Sequence, residues 1–174
     1  QTLIEKNASS LIHLDLEQNA FDEEFIKKLI IETLIKCTRL QAINLSYHQL
    51  NHHLMKDIAE LLNHCPIQNL MLNHNKINAE ALLLFIKSLP KKIQFNRLSL
   101  NENPLKAKGI SCLVDITDQF SHTELYLDNT QLDDTAWSTL KTVLPELKVL
   151  SIRQNQLKDI KTLLEILPKC TQLT

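Results

Sequence analysis

Glycine and proline are scarce in this sequence, with one glycine and five prolines among 174 residues. Linkers and disordered tails are normally rich in such residues, so the composition argues against an internal linker. Hydrophobic residues make up 44% of the chain, which is enough for a continuous core. We therefore expect residues 1–174 to form a single domain.

An excess of either charge is also missing, because 19 Lys and Arg residues oppose 20 Asp and Glu residues. Without a basic excess the chain can neutralise few phosphates, so a nucleic acid is not the expected partner. No apolar run approaches the roughly 18–20 residues that a membrane span requires. The longest runs, such as residues 81–86, have the length of a buried helical segment, and no membrane partner is expected.

Motifs of catalysis and metal binding are absent from the sequence. There is no GxSxG elbow, no phosphate-binding loop and no HExxH or paired CxxC spacing. The four cysteines are Cys37, Cys65, Cys112 and Cys170, and all but Cys112 lie two or three residues before a predicted strand. We interpret them as reduced, buried thiols in a cytosolic setting. No catalytic residue, metal, cofactor or small-molecule substrate is expected.

A repeated pattern runs through nearly the whole chain. Residues 147–157 read LxxLxLxxNxL, and the same frame starts at positions 11, 40, 67, 95 and 122, with Leu173 opening a seventh copy. Both leucines of LxL point to one face of a short strand, and the asparagine amide can bond backbone groups of neighbouring repeats. The exceptions to the frame are His48, His122 and Thr130.

A helical period follows each predicted strand. Asn51, Asn78 and Asp133 are predicted to cap the starts of helices. Prolines are predicted to end four of the helices, at Pro66, Pro90, Pro145 and Pro168. Each repeat therefore predicts one strand followed by one helix, and Trp137 is expected to be wedged between helices.

These repeats resemble the leucine-rich-repeat family. Their length and full helix are similar to the ribonuclease-inhibitor-like subclass. A small residue four places after the last framed apolar position, at Ala81, Gly109 and Ala136, is also similar to that subclass. The first, second and sixth repeats have Phe25, Leu54 and Lys161 there instead. The resemblance implies an α/β solenoid shaped as a horseshoe arc of about six repeats, with a parallel sheet on the concave face and helices on the convex face. Both ends cut a repeat, so we expect a section of a longer chain.

The resemblance also predicts a binding surface on the concave face, where side chains alternate with the buried leucines. Large amphipathic and arginine side chains there are typical of interface hot spots. The predicted partner-binding residues are Tyr47, Asn69, Met71, Asn73, Arg97, Ser99, Asn101, Glu124, Tyr126, Asp128 and Arg153. Arg97 and Arg153 are expected to pair with carboxylates of the partner. His48 and His74 are expected near the ends of neighbouring strands, where two imidazoles could bind a metal. His48 is explained more simply as a replacement for the turn asparagine.

The leading hypothesis is a non-catalytic module that binds a protein. The bias toward Leu, Ile, Lys and Asn is typical of AT-rich bacterial genomes, and the repeats resemble those of type IV secreted bacterial effectors. That resemblance implies a partner that is a host protein or another effector enzyme, inhibited by occlusion of its active site. The expected location is the host cytoplasm after secretion, or otherwise the cytoplasm.

Other functions remain open from the sequence. The chain fits the substrate-recognition region of a larger effector enzyme of the ubiquitin-ligase type. The resembling family also includes the Ran GTPase-activating protein, although this sequence matches no catalytic motif of that protein clearly enough to assign functional residues. A eukaryotic immune-receptor repeat region ranks lower because of the residue bias.

Overall fold

Six short parallel strands form one open sheet in the computed structural model, which describes residues 3–19, 21–91, 93–120 and 122–173. The strands lie in sequence order, and each is hydrogen-bonded to the next. Framed leucines stand side by side, so that Leu14 pairs with Ile43, and Leu70 with Leu98. The strands are β1 (His13–Asp15), β2 (Ala42–Asn44), β3 (Asn69–Met71), β4 (Arg97–Ser99), β5 (Thr123–Tyr126) and β6 (Leu147–Ser151).

Helical segments connect the strands and lie on one side of the sheet. The α-helices are α1 (Leu3–Lys6), α2 (Glu23–Lys28), α3 (Met55–His64), α4 (Ala79–Ser88), α5 (Lys106–Ile110), α6 (Trp137–Val143) and α7 (Ile160–Ile166). A π-helical turn (Leu29–Thr33) and 3₁₀ turns (Leu34–Lys36, Ser111–Gln119, Asp134–Ala136, Leu144–Glu146 and Leu167–Lys169) complete them. Within the described ranges, no helix has the length and apolarity required to cross a membrane.

The two layers of this molecule have different natural spacings, and this curves the stack. Neighbouring strands lie about 4.8 Å apart, whereas packed helices need about 8–10 Å. Each strand with its following helical segment forms one coil, and successive coils must spread on the helical side. The sheet therefore lines the inner, concave side. The core lies between the two layers, where Ile43, Leu70, Leu98 and Leu125 are fully buried.

The fifth coil starts one residue later than the sequence frame predicted. Thr123 pairs with Leu147 and is fully buried, and its hydroxyl donates a hydrogen bond of 2.6 Å to the carbonyl oxygen of Phe95. His122, the predicted first position, is exposed instead. The strand pairing shifts by one residue after Thr123, so that Glu124 still takes its predicted place on the concave face.

Asparagine side chains join the coils where the chain leaves the sheet. The side-chain oxygen of Asn75, Oδ1, accepts hydrogen bonds from the backbone N–H groups of His48 and Leu50 in the preceding coil, each at 3.0 Å. Its amide nitrogen donates to the carbonyl oxygens of Leu45 and Leu72, also at 3.0 Å. One buried amide thereby satisfies four backbone groups in two coils, which confirms the predicted role of the framed asparagine.

His48 and Thr130, which replace the framed asparagine, still bond backbone carbonyl groups where the chain leaves the sheet. A His48 ring nitrogen, Nε2, lies 2.7 Å from the carbonyl oxygen of Leu16, so this nitrogen must carry the proton and donate it. Thr130 donates its hydroxyl hydrogen to the carbonyl oxygen of Leu127 at 2.7 Å. Each residue satisfies one carbonyl where asparagine would satisfy several groups.

The predicted helix caps are only partly correct. Asn78 caps α4 by accepting a hydrogen bond of 2.9 Å from the Ala81 N–H, and Asp133 caps the 3₁₀ turn that precedes α6. Asn51 is not a helix cap, because α3 begins only at Met55. The Asn51 carboxamide oxygen instead accepts from the N–H of a neighbouring loop residue at 2.8 Å.

Each of the four predicted proline stops directly follows the C-cap residue of an α-helix, as predicted. Pro66 and Pro90 follow the ends of α3 and α4 as expected. Pro145 and Pro168 lie in the first turn of 3₁₀ segments that continue α6 and α7 toward the sheet. A proline is tolerated at that position because the N–H groups of a first turn need no partner within the helix.

Close packing between neighbouring coils explains the one glycine. A Cβ added to Gly109 would lie 3.1 Å from the Leu105 Cβ and 3.3 Å from the Ala79 Cα, closer than side chains normally approach. Trp137 is only 6% exposed, which confirms that it is packed into the helical layer.

Every coil leaves the sheet through one residue in the left-handed backbone region. The six residues have φ angles from 50° to 66°, and none is glycine: Gln18, Tyr47, His74, Glu102, Asn129 and Gln154. Such a conformation costs an L-residue about 1–2 kcal/mol. Bonds to the next coil offset the cost, as when the N–H of Tyr47 donates to the Asn73 carbonyl oxygen at 3.0 Å.

Replacing Asn75 by Ala should destabilise the fold strongly, because four buried backbone groups lose their partner. We expect a loss of about 2–4 kcal/mol in the free energy of unfolding, measured by urea denaturation. Asn63→Ala, on the exposed side of α3, is the matched control and should cost under about 0.5 kcal/mol. Equal losses in the two variants would contradict the role assigned to Asn75.

Replacing Gln154 by Val should expose the strain of the left-handed turn. A β-branched side chain at a φ of 56° is strongly disfavoured, and we expect a cost of about 1–2 kcal/mol in thermal or urea unfolding. Gln156→Val is the control, since Gln156 is also exposed but has no positive φ. The turn geometry would be wrong if both valine variants were equally stable.

Candidate protein-binding surface

The concave face comprises the side chains that alternate with the buried residues along the strands and just beyond them. The structure brings all the predicted partner-binding residues to this face or its rim, but it does not leave them equally accessible. Arg97 and Arg153 are exposed. The half-buried members are Tyr47, Asn69, Met71, Asn73, Asn101, Glu124, Tyr126 and Asp128. Ser99 is a correction, because it is only 5% exposed and offers little surface to a partner.

Several of these residues form a polar ladder within the protein. The Asn73 carboxamide oxygen accepts from the Ser99 hydroxyl at 2.6 Å and from the Asn101 N–H at 2.9 Å. In the next coil, the Asn101 oxygen accepts from the Asp128 N–H at 2.7 Å. Asp128 in turn accepts from the N–H of Arg153 at 2.6 Å. These side chains hold the strand ends together, and much of their hydrogen-bonding capacity is already used.

A hydrogen-bonded group of concave side chains lies on β4 and β5, with one further member on β6. Arg97 donates from Nε and Nη2 to a single oxygen of Glu124, at 2.8 and 2.6 Å. The Tyr126 hydroxyl donates to the same oxygen at 3.2 Å, and the guanidinium carbon of Arg97 lies 5.5 Å from the Tyr126 ring centroid. Lys148 approaches the other Glu124 oxygen at 3.8 Å. We call Arg97, Glu124, Tyr126 and Lys148 the arginine–tyrosine cluster.

Mutual contacts set the charge states of this cluster. The hydrogen bonds from Arg97 hold the pKa of Glu124 below its ordinary value. The same bonds raise the pKa of Arg97. Burial, followed by the nearby Glu124 charge, raises the pKa of Tyr126. At neutral pH the cluster therefore contains a guanidinium, a carboxylate and a neutral phenol. Arg97 already pairs with one carboxylate within the chain through Nε and Nη2, and the predicted pairing with a carboxylate of the partner stays a prediction.

A second polar group lies on the rim beyond the strand ends. Tyr47 stacks on His74 with 4.2 Å between ring centroids, and His74 Nδ1 lies 2.9 Å from a Glu102 carboxylate oxygen. All three residues occupy the left-handed positions of successive coils. Cavities of about 420 and 430 Å³ border Tyr47, and Gln49 and Lys76 line both of them.

Histidines and cysteines do not gather into a metal-binding group in the part of the chain that the structure describes. His48 and His74 are engaged in separate contacts, and the described ranges contain no group of three or more His, Cys, Asp or Glu side chains that could hold a metal. All four cysteines are buried free thiols, as predicted. Burial raises the pKa of both Cys65 and Cys112 to about 11, so these thiols stay protonated and are poor nucleophiles at neutral pH.

Sequence reasoning missed Lys148 and the pairing of His74 with Glu102. Lys148 follows a framed leucine, and only the shifted pairing between β5 and β6 brings its ammonium to Glu124. His74 and Glu102 occupy the same frame position in successive repeats, so a column-by-column reading of the repeats could have found that pair.

Glu124→Gln removes the negative charge of the arginine–tyrosine cluster while keeping the size of the side chain. Because the folded-state pKa of Glu124 is lowered, its contribution to stability is complete above the unfolded value, about 4.3, and is lost as the pH falls through the folded-state value. Wild type should be more stable than Glu124→Gln by about 0.2–1 kcal/mol at neutral pH in urea denaturation. The difference should shrink toward zero in acid, and a difference that grows on acidification would contradict the assignment.

Comparisons with known proteins agree with this architecture. No protein-family model matches the sequence. NACHT, LRR and PYD domains-containing protein 4E of Mus musculus is 32% identical in an alignment of 142 residues that covers 76% of this chain and 14% of the mouse protein. The chain therefore spans about one seventh of the length of that relative.

A solved structure of an internalin from Listeria monocytogenes superimposes on this chain with a TM-score of 0.52. The match covers 95% of this chain and 47% of the internalin chain at 16% sequence identity, so it bears on the fold alone. Together with the repeated frame and the asparagine ladder, these similarities support a place for the chain in the leucine-rich-repeat family, and its fold is an α/β leucine-rich-repeat solenoid.

Proposed function

We propose that this chain is a non-catalytic module that binds a protein partner through its concave face. The observation that carries the proposal is the arginine–tyrosine cluster. Arg97 has 47% of its side chain exposed, yet two hydrogen bonds to Glu124 and the Tyr126 ring fix its position. Arginine and tyrosine dominate binding energies at protein interfaces, and a side chain that is already fixed loses less entropy on binding.

Adjacent coils extend this surface on both sides of the cluster. Met71 and Asn69 lie half-buried on β3, and Arg153 lies exposed just beyond β6. Four strands at about 4.8 Å spacing give a width of about 14 Å, which suits a helix or a loop of a partner. Methionine adapts to differently shaped partners, and it supplies the apolar part of a surface that is otherwise polar.

The finer proposal is that the partner is an enzyme whose active site is covered by the concave face. It rests on the resemblance to inhibitor members of the ribonuclease-inhibitor-like subclass. An origin as a secreted bacterial effector, with action in the host cytoplasm, rests on residue usage and on the resemblance to effector repeats. Both stay predictions.

A second candidate function is partner recognition within a longer protein. The similarity to the mouse relative covers only 14% of that protein, which favours a repeat region that serves other domains. The ubiquitin-ligase type of effector and the immune receptor would both use the repeats in this way. No observation on the concave face favours the GTPase-activating alternative, which stays a prediction.

Tyr126→Ala and Arg97→Ala should each weaken partner binding at least about tenfold, because each removes a hot-spot side chain. Partners would be captured on the immobilised protein from bacterial and mammalian lysates, identified by mass spectrometry, purified and titrated by calorimetry. Lys56→Ala, on the exposed side of α3, is the matched control and should bind within about twofold of wild type. Circular dichroism would verify that all three variants are folded.

A partner that retains its affinity for both Tyr126→Ala and Arg97→Ala would overturn the concave-face proposal. Loss of binding in Lys56→Ala alone would point to the helical side as the binding surface.

A further inference from the structure

Charge is distributed unevenly along the concave face. The first coil has only carboxylates beside a histidine, and the second and third coils have no charged side chain on their strands. All the cations of the face lie in the fourth to sixth coils. The charged residues are Asp15 and Glu17 in the first coil, and Arg97, Lys148 and Arg153 against Glu124 and Asp128 in the last three coils.

The carboxylates at the last three coils are Glu124 and Asp128 on the face and Glu102 on its rim, and all three are engaged within the protein, Glu102 by His74 Nδ1 at 2.9 Å. Glu124 accepts three hydrogen bonds on one oxygen, and its other oxygen lies 3.8 Å from Lys148. One Asp128 oxygen accepts from the Ser151 hydroxyl and from the Arg153 N–H, both at 2.6 Å. Glu124 is therefore bonded or close to a cation on both oxygens, and Asp128 is bonded on one oxygen.

The guanidinium groups keep donors available. Glu124 uses Nε and Nη2 of Arg97, and within the described part of the chain Nη1 makes no hydrogen bond. The Arg153 side chain is exposed and makes no hydrogen bond or ion pair with any residue that the structure describes. The last three coils thus present unused cationic donors beside carboxylates that are already bonded.

We propose that the fourth to sixth coils bind an acidic segment of the protein partner, with its carboxylates accepting hydrogen bonds from Arg97 and Arg153. This inference rests on the proposed function and adds the chemistry of the partner. Arginine binds carboxylates through several directed donors, which favours it over lysine for this recognition. Tyr126 supports the Arg97 guanidinium from below and is an apolar surface for the segment's aliphatic carbons.

The first coil sets the direction in which an acidic segment can lie. Asp15 and Glu17 are exposed, and four strand spacings of about 4.8 Å separate β1 from β5, about 19 Å in all. This exceeds the Debye length of about 8 Å at physiological ionic strength, so the two ends act almost independently. An acidic segment is repelled at the first coil and held at the last three, which fixes its orientation along the arc.

The proposal can be tested with the whole chain before any natural partner is known. Isotope-labelled protein would be titrated with capped hexaglutamate, and amide shifts would be followed by NMR. We expect saturable shifts confined to β4–β6 that weaken as sodium chloride is raised from about 50 to 300 mM, because exposed ion pairs are screened. Capped hexaglutamine is the uncharged control and should give no saturable shift.

Variants make the test specific to the two arginines. Arg97→Gln and Arg153→Gln should each weaken hexaglutamate binding at least about threefold, whereas Lys56→Gln on α3 should bind as wild type does. Arg153→Gln is the safer variant for folding, since no internal hydrogen bond of its side chain is lost among the described residues. Absence of shifts in β4–β6, or unchanged binding in the double arginine variant, would overturn the proposal. Tighter binding of an eight-nucleotide oligothymidylate to the same strands would overturn it in favour of nucleic acid.

Failure of this inference is distinguishable from failure of the proposed function. A natural partner that depends on Tyr126 but binds Arg153→Gln and Arg97→Gln as tightly as wild type would leave the concave-face module standing and remove the acidic segment. A partner that is insensitive to Tyr126→Ala would remove the module itself.

Discussion

A buried turn at the end of each strand requires partners for its backbone N–H and carbonyl groups, and the whole stack depends on how they are supplied. Asn75 satisfies four such groups across two coils, and Asn103 and Asn155 act in the same way in later coils. An unsatisfied buried group costs about 1–3 kcal/mol, so the ladder ties each coil to the next. The strands are thereby held in register, apart from the one-residue shift between β5 and β6, and core and concave side chains alternate along them.

The stacking of the coils determines which polar side chains of the concave face are bonded and which are exposed. A second ladder, through Asn73, Asn101 and Asp128, uses polar groups that face the solvent side of the sheet. Such groups stabilise the arc more than they offer contacts to a partner. Binding capacity is concentrated where side chains stand clear of the ladders, at Arg97 with Tyr126 and at Arg153. The bonded carboxylates beside them leave a surface that favours acidic partners.

The residues with left-handed backbone conformation lie between the strand ends and the rim of the concave face. Non-glycine residues adopt this conformation at a cost, and in the first five coils a backbone hydrogen bond to the next coil offsets it. The side chains at these positions project beyond the strand ends, which brings Tyr47, His74 and Glu102 into one stacked and hydrogen-bonded row. Because the same backbone conformation recurs at this position of every coil, side chains from separate coils are aligned.

The sequence alone determined the repeat, the buried leucines and most of the side chains on the concave face, because a period of two fixes which side chains share a strand face. The parallel sheet was implied by the resemblance to leucine-rich repeats. The sequence misplaced the start of the fifth coil at His122 and the cap at Asn51, since competing local signals are resolved by neighbouring coils. Only the tertiary structure decided that Ser99 is buried, that Arg97 is bound to Glu124 and that Lys148 reaches the same carboxylate. Those contacts join residues about 25 positions apart, and their distances depend on how the coils stack.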